Sequence, residues 1–163
     1  MNLDDFKITN TKKLDRLLVR SLELLLEKRG DRPEYWGLVA ACVLDTDNRA
    51  VFGINHITPR GTRKHAERVA IERYEEKYGP VPAGSIIITT LSPCSAPMSE
   101  RWGDSCTSII NNSRVRKVYC GYEDPTQTDN RDYIHKRFHT KTTRNSKIQK
   151  LCKQIADSFL DQE

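Results

Sequence analysis

No run of apolar residues in the chain is long enough to cross a bilayer, and its N-terminal part holds no apolar segment of the kind that directs secretion. Both absences argue against a membrane partner and lead one to expect an intracellular protein, cytoplasmic, or nuclear in a eukaryote. Cysteine is sparse as well: five residues, an odd number at uneven spacing, make no disulfide framework. Cysteines of a reduced compartment serve as metal ligands or as core. Internal repeats, low-complexity tracts and linkers are all missing, so residues 1–163 read as one domain. A chain of 163 residues buries roughly two thirds or more of its extended surface and needs no staple. The net charge of +5 is modest but unevenly placed. Arg131, Lys136, Arg137, Lys141, Arg144, Lys147 and Lys150 face a single acid, Asp132, so that segment nets +6 and the remainder −1.

What is present is a regular alternation of helical and strand patterns. Leu14, Leu17, Leu18, Leu22, Leu25 and Leu26 form a helical stripe from Leu14 to Lys28, closing at Arg29 and Gly30. In "GLVAACVLDTDNRAVFGINH" two apolar runs flank Asp45, Thr46, Asp47 and Asn48, the chemistry of a turn between antiparallel strands. "KHAERVAIERYEEKYG" is an amphipathic helix, with Ala66, Val69, Ala70, Tyr74 and Tyr78 on one face. Pro80, Pro82 and Gly84 break it before "SIIITT", a buried strand running to Pro93 and Cys94. A short helix beginning near Cys106, a strand in "VRKVYCGY" and a last helix in "KIQKLCKQIADSFL" follow. Between Tyr122 and Ser146 the pattern is poor, and a fifth strand there is a guess.

This order puts metal chemistry in one place. A catalytic metal needs about three protein ligands, an open position and an acid-base group that is not itself a ligand. His65 opens one helix, Cys94 ends a strand and Cys106 opens the next helix; Glu67, two residues after His65, is the acid-base candidate. Thiolates near helix N-termini are favoured by the unsatisfied amides there. Cys42, Cys120 and Cys152 lie on strand or helix faces and read as core. His135 and His139, spaced i and i+4, form at most half of a second site, and surface or phosphate-contacting positions are preferred for them.

His65-Ala66-Glu67 followed by Pro93-Cys94 resembles the zinc-dependent nucleobase deaminases of the cytidine deaminase superfamily, whose signature pairs H-x-E with P-C-x-x-C. Cys106 departs from it, with eleven residues, "SAPMSERWGDS", where the usual pattern has two. "CTSIINNSRVRKVYCGYEDP" nevertheless looks like the segment after the second cysteine ligand in tRNA adenosine deaminases and related enzymes. The resemblance covers roughly Leu38 to Pro125. It implies an α/β fold of three layers, α/β/α, with a mixed central sheet of about five strands and helices on both faces. It also implies Zn2+ on His65, Cys94 and Cys106, Glu67 as the catalytic proton shuttle, and a hydrolytic step that releases ammonia. Asn55, in Gly53-Ile54-Asn55, takes the family's position for a substrate contact, and His56, Ala66, Ser92, Pro93 and Trp102 complete the expected pocket.

Three readings of the substrate follow. The first is cytosine in single-stranded nucleic acid, since cations track phosphates and aromatics stack bases. Arg101, Lys136, Arg137, Lys141 and Arg144, with Trp102, Tyr133 and Phe138 among them, would supply that surface. "TTLSPC" looks more like polynucleotide cytidine deaminases than adenosine ones, although adenine in RNA stays open. The second is a free cytidine or deoxycytidine nucleotide. The third, a non-catalytic zinc-stabilised nucleic-acid-binding module, gives Glu67 nothing to do. A homo-oligomer is left open.

Overall fold

The computed structural model describes residues 11–29, 39–57, 63–95, 105–125 and 134–160. Helix α1 (Thr11–Arg29) buries Leu14, Leu18, Leu22 and Leu25 at helical spacing, while Leu26, which the sequence placed on the same stripe, faces outward. Strands β1 (Ala40–Leu44) and β2 (Ala50–Ile54) pair antiparallel from Ala40 with Ile54 to Leu44 with Ala50. Their turn is built around Asp45, whose carboxylate accepts the N–H groups of Asp47 and Arg49 at 2.9 Å each and the Arg49 guanidinium at 2.6 Å. Asn48 takes the left-handed conformation at φ 66°, which its short polar side chain tolerates. Two short strands, β3 (His56–Ile57) and β4 (Arg63–Lys64), pair with each other as a separate ribbon.

Helix α2 (Ala66–Tyr78) follows, then β5 (Ile86–Leu91), α3 (Cys106–Asn111), β6 (Lys117–Tyr122), β7 (His139–Thr142) and α4 (Ser146–Leu160). The main sheet runs β2-β1-β5-β6-β7, with β1 antiparallel to both neighbours and β5, β6 and β7 mutually parallel. It is the mixed five-stranded sheet that the sequence led one to expect. The guess of a fifth strand is realised as β7, an edge strand reading His-Thr-Lys-Thr, with no apolar alternation to announce it.

Alternation along β1 and β5 divides the core in two. Ala40, Cys42, Leu44, Ile86 and Ile88 pack against α1 and α4, whereas Ala41, Val43 and Ile87 pack against α2 and α3. The result is three layers, α/β/α. Each fully buried aliphatic side chain, such as Leu18 or Ile87, contributes about 1.5–3 kcal/mol. Tyr74 ties α2 to the hairpin by donating its hydroxyl to Asp45 at 2.7 Å. Gly53 lets α2 lie directly on β2: a Cβ there would stand 2.5 Å from the Ala70 nitrogen and 2.8 Å from the Ala66 oxygen. That approach fixes where the N-terminus of α2 points. Among the described residues no helix is long and apolar enough to cross a membrane.

Candidate metal centre

Open parallel sheets place ligands beyond the carboxyl ends of their strands. Here β5 and β6 end side by side, with Leu91 paired to Tyr122. The chain leaving β5 is held there by Ser92 N–H on the Tyr122 carbonyl at 2.9 Å and by the Asp124 N–H on the Ser92 hydroxyl at 2.9 Å. Beyond it, the Thr107 N–H meets the Cys94 carbonyl at 3.0 Å and the Cys106 N–H meets the Cys94 sulfur at 3.3 Å. Ser105 caps α3 by accepting the Ser108 N–H at 3.1 Å. Two cysteines twelve positions apart are thereby clasped by backbone.

His65 occupies the N-cap position of α2, and its ring is directed at the sulfurs. Its Nδ1 lies 3.2 Å from the Cys94 sulfur and 3.3 Å from that of Cys106. The three donor atoms fall within 4.8 Å of one another, and no other such group of His, Cys, Asp or Glu occurs among the described residues. One imidazole and two thiols are the donors of an open catalytic zinc site, where tetrahedral bonds would set N···S edges of roughly 3.6 Å. The observed separations are a few tenths of an ångström shorter, so the donors fit the ion with little movement. Glu67, buried in the first turn of α2, sets Oε2 3.2 Å from the Cys106 sulfur and receives the Thr89 hydroxyl on Oε1 at 3.0 Å.

The electrostatics suit deprotonated ligands and a proton-holding carboxyl. The Cys106 S–H beside it, opposed by burial and reinforced by His65 and the Cys106 amide, draws Cys94 well below the usual thiol range. Cys106 moves the opposite way, because the neighbouring sulfur, burial and Glu67 all oppose a second negative charge. A divalent cation would release that last proton. Burial raises Glu67 above the ordinary carboxylate range.

Residues 13–122 match the family model described as the cytidine and deoxycytidylate deaminase zinc-binding region. The chain belongs to this deaminase family. No curated protein matches it. Solved structures of similar fold include the Thermotoga maritima diaminohydroxyphosphoribosylaminopyrimidine deaminase/5-amino-6-(5-phosphoribosylamino)uracil reductase, at 24% identity and TM-score 0.56, covering 76% of this chain and 35% of that one. A second is Acinetobacter baumannii RibD, at 17% identity and TM-score 0.63, covering 93% of this chain and 40% of that one. A third is the dCMP deaminase of cyanophage S-TIM5 in complex with dCMP and dUMP, at 17% identity and TM-score 0.59, covering 83% and 99%. The chain thus spans well under half of the first two proteins and nearly the whole of the third.

Within this deaminase family architecture the other expected site residues divide. Asn55 is buried, and its Oδ1 accepts the Val39 N–H at 3.2 Å, so the side chain braces the start of β1. Asn55→Ala is therefore expected to cost about 1–3 kcal/mol through the stranded Val39 amide, in addition to any loss of turnover. Denaturant melts run beside activity assays check this; an unchanged midpoint would leave Asn55 a ligand contact alone. Ala66 packs into the core, and Ser92 and Pro93 are buried in the clasp after β5. Arg101 and Trp102, like Tyr133, lie outside the described residues, as does the side chain of His56.

The basic segment is less uniform than its composition. Phe138, expected among base-stacking aromatics, is a core residue at 4% exposure. Lys136 is half-buried, bonds the Thr140 hydroxyl at 3.3 Å and is lowered by burial against the pull of Glu123. Lys141 is half-buried on β7, whereas Arg137 and Arg144 are exposed. His135 and His139 share no helix, since His139 opens β7. The residue that sequence reasoning missed is Thr89, a polar position inside an apolar strand, on the same face as Ile87.

Proposed function

We propose that the protein is a zinc-dependent hydrolytic deaminase acting on the amino-bearing pyrimidine ring of a phosphorylated small molecule. The observation that carries this reading is Glu67: a buried carboxylate that is not needed as a ligand leans against a three-donor set. Bound on His65, Cys94 and Cys106, zinc would supply Lewis-acid activation of a water. Glu67 takes a proton from that water and delivers it to the departing amine, so that water is consumed, a C–N bond breaks, a C=O forms and ammonia leaves. The N-terminus of α2 and the clasp of β5 and α3 hold these groups in register.

The phosphorylated small molecule is favoured by two considerations. Two of the fold relatives named above are a dCMP deaminase and a diaminohydroxyphosphoribosylaminopyrimidine deaminase, whose names share an aminopyrimidine joined to a sugar phosphate. Burial of Phe138 also removes one of the aromatics that a single-strand surface required. Cytosine in single-stranded nucleic acid is the second reading, favoured by exposed Arg137, Arg144, Lys147 and Lys150.

The deciding experiment incubates the zinc-loaded protein with free pyrimidine nucleosides, their nucleotides and single-stranded oligonucleotides, and reads the amine-to-carbonyl change by mass. Turnover confined to nucleotides is expected. Neutralising Arg137, Arg144, Lys147 and Lys150 together should leave nucleotide turnover unchanged. Oligonucleotide turnover that collapses in this variant and falls steeply with salt, at a log-log slope of about 0.7 per lost phosphate contact, would establish the second reading instead.

A further inference from the structure

One polar group beside Glu67 plays no part in the mechanism so far, and it is the hydroxyl of Thr89. It is fully buried on β5, on the strand face that also carries Ile87. Its oxygen stands 3.0 Å from Glu67 Oε1 and 2.7 Å from the carbonyl of Leu91, two residues further along the same strand. Nothing in the packing demands a hydroxyl here, because valine has the same shape and suits a buried strand as well. The position of the hydroxyl relative to Glu67 therefore has a use beyond packing.

We propose that Thr89 is the positioning residue of Glu67, holding Oε1 so that Oε2 stays turned toward the metal ligands. This rests on the deaminase reading given above. A hydroxyl has one proton to give and lone pairs to receive. While Glu67 is ionised, Thr89 donates to Oε1. Once Glu67 has taken a proton on Oε2, Oε1 keeps its lone pairs and goes on accepting the Thr89 hydroxyl. The carboxyl is held in both halves of the cycle, and the Leu91 carbonyl, 2.7 Å away and fixed by the strand, keeps the hydroxyl in place beside it. Glu67 also meets the Cys106 sulfur and its own backbone N–H, neither of which fixes Oε1 from the β5 side, so without Thr89 the carboxylate can rotate about its last torsion, which is a broad one. Its aim toward the reacting water is then lost even though its charge is not.

Thr89→Val removes the hydroxyl and keeps the shape; Thr89→Ser keeps the hydroxyl and removes a methyl. In zinc-loaded protein, Thr89→Val is expected to lower kcat by about 10- to 100-fold, the usual effect of losing a partner that orients a metal-site group. KM and zinc content stay at the parental values, and Thr89→Ser recovers most of the rate. A purely structural threonine would lower the melting temperature and leave kcat of the folded fraction alone. Parental kcat in Thr89→Val, or a serine variant as slow as the valine one, would overturn the assignment. A crystal structure of Thr89→Val reads the same point without turnover: the Glu67 carboxylate should leave its place beside the Cys106 sulfur, and an unmoved carboxylate overturns the proposal. Should the valine variant not fold, Thr89→Ala removes the same hydroxyl with less bulk and is read identically. A parent that deaminates neither the substrate panel nor a phosphoribosylaminopyrimidine would refute the deaminase reading, while the carboxylate position would still decide the role of Thr89.

Discussion

Glu67→Gln is expected to abolish turnover while the protein keeps its zinc and its melting temperature. The amide is nearly isosteric but cannot accept a proton from water, and positioned acid-base catalysis is worth about a hundred- to ten-thousand-fold. Stability should hold or rise. Burial already disfavours the charge of Glu67, so a neutral side chain removes a desolvation cost. The contacts of the carboxylate survive as well. The glutamine carbonyl can receive the Thr89 hydroxyl in place of Oε1, and its NH2 can donate to the Cys106 sulfur in place of Oε2. Glu67 is not among the three clustered donors, so the metal content should be untouched. Turnover, zinc content and thermal unfolding measured on one preparation separate the outcomes. Parental turnover with a shifted melting temperature would make Glu67 a structural residue and end the deaminase mechanism.

Sequence pattern carried the elements whose burial is one-sided and periodic. The leucines of α1, the hairpin turn at Asp45 and the buried run of β5 were all readable because one face of each must be apolar. β7 was not, since an edge strand of threonine, lysine and histidine has no apolar period to read. Facing is also what misled the reading of the basic segment. Charge counts place Phe138 and Lys136 among exposed cations, but Phe138, the residue before β7, packs into the core on the α2 side of the sheet and Lys136 is half-buried. His65, Glu67 and Cys94 were legible as short motifs. Thr89 was not, because its meaning depends on which face of β5 it occupies and on a carboxylate arriving from another element. Cys106 lies between these cases: its place at a helix start was readable, and its partnership with Cys94 across eleven residues required the backbone clasp to be seen.

That partnership makes Cys106→Ala the variant with the largest expected effect on the metal. Alanine suits the first turn of α3, and the Ser105 cap and the Thr107 bond to the Cys94 carbonyl involve no Cys106 side-chain atom, so the local backbone should persist. What disappears is one of two thiol donors, leaving His65 and Cys94. Losing a group that merely supports a metal ligand costs roughly 10- to 100-fold in affinity, and losing the ligand itself should cost more. The parent should retain one zinc per chain through dialysis against a mild chelator, and Cys106→Ala should emerge close to metal-free and inactive. Cys42→Ala is the matching control. Burial pushes the Cys42 thiol up to about 12, as it does those of Cys120 and Cys152, so none of them gives up its proton readily to a metal. All three are buried away from the cluster of donors. Full zinc in Cys42→Ala beside its loss in Cys106→Ala would assign the ligand by position rather than by thiol count. Full zinc in Cys106→Ala would show that the metal is held without Cys106 and that the long spacing after Cys94 does not separate two ligands.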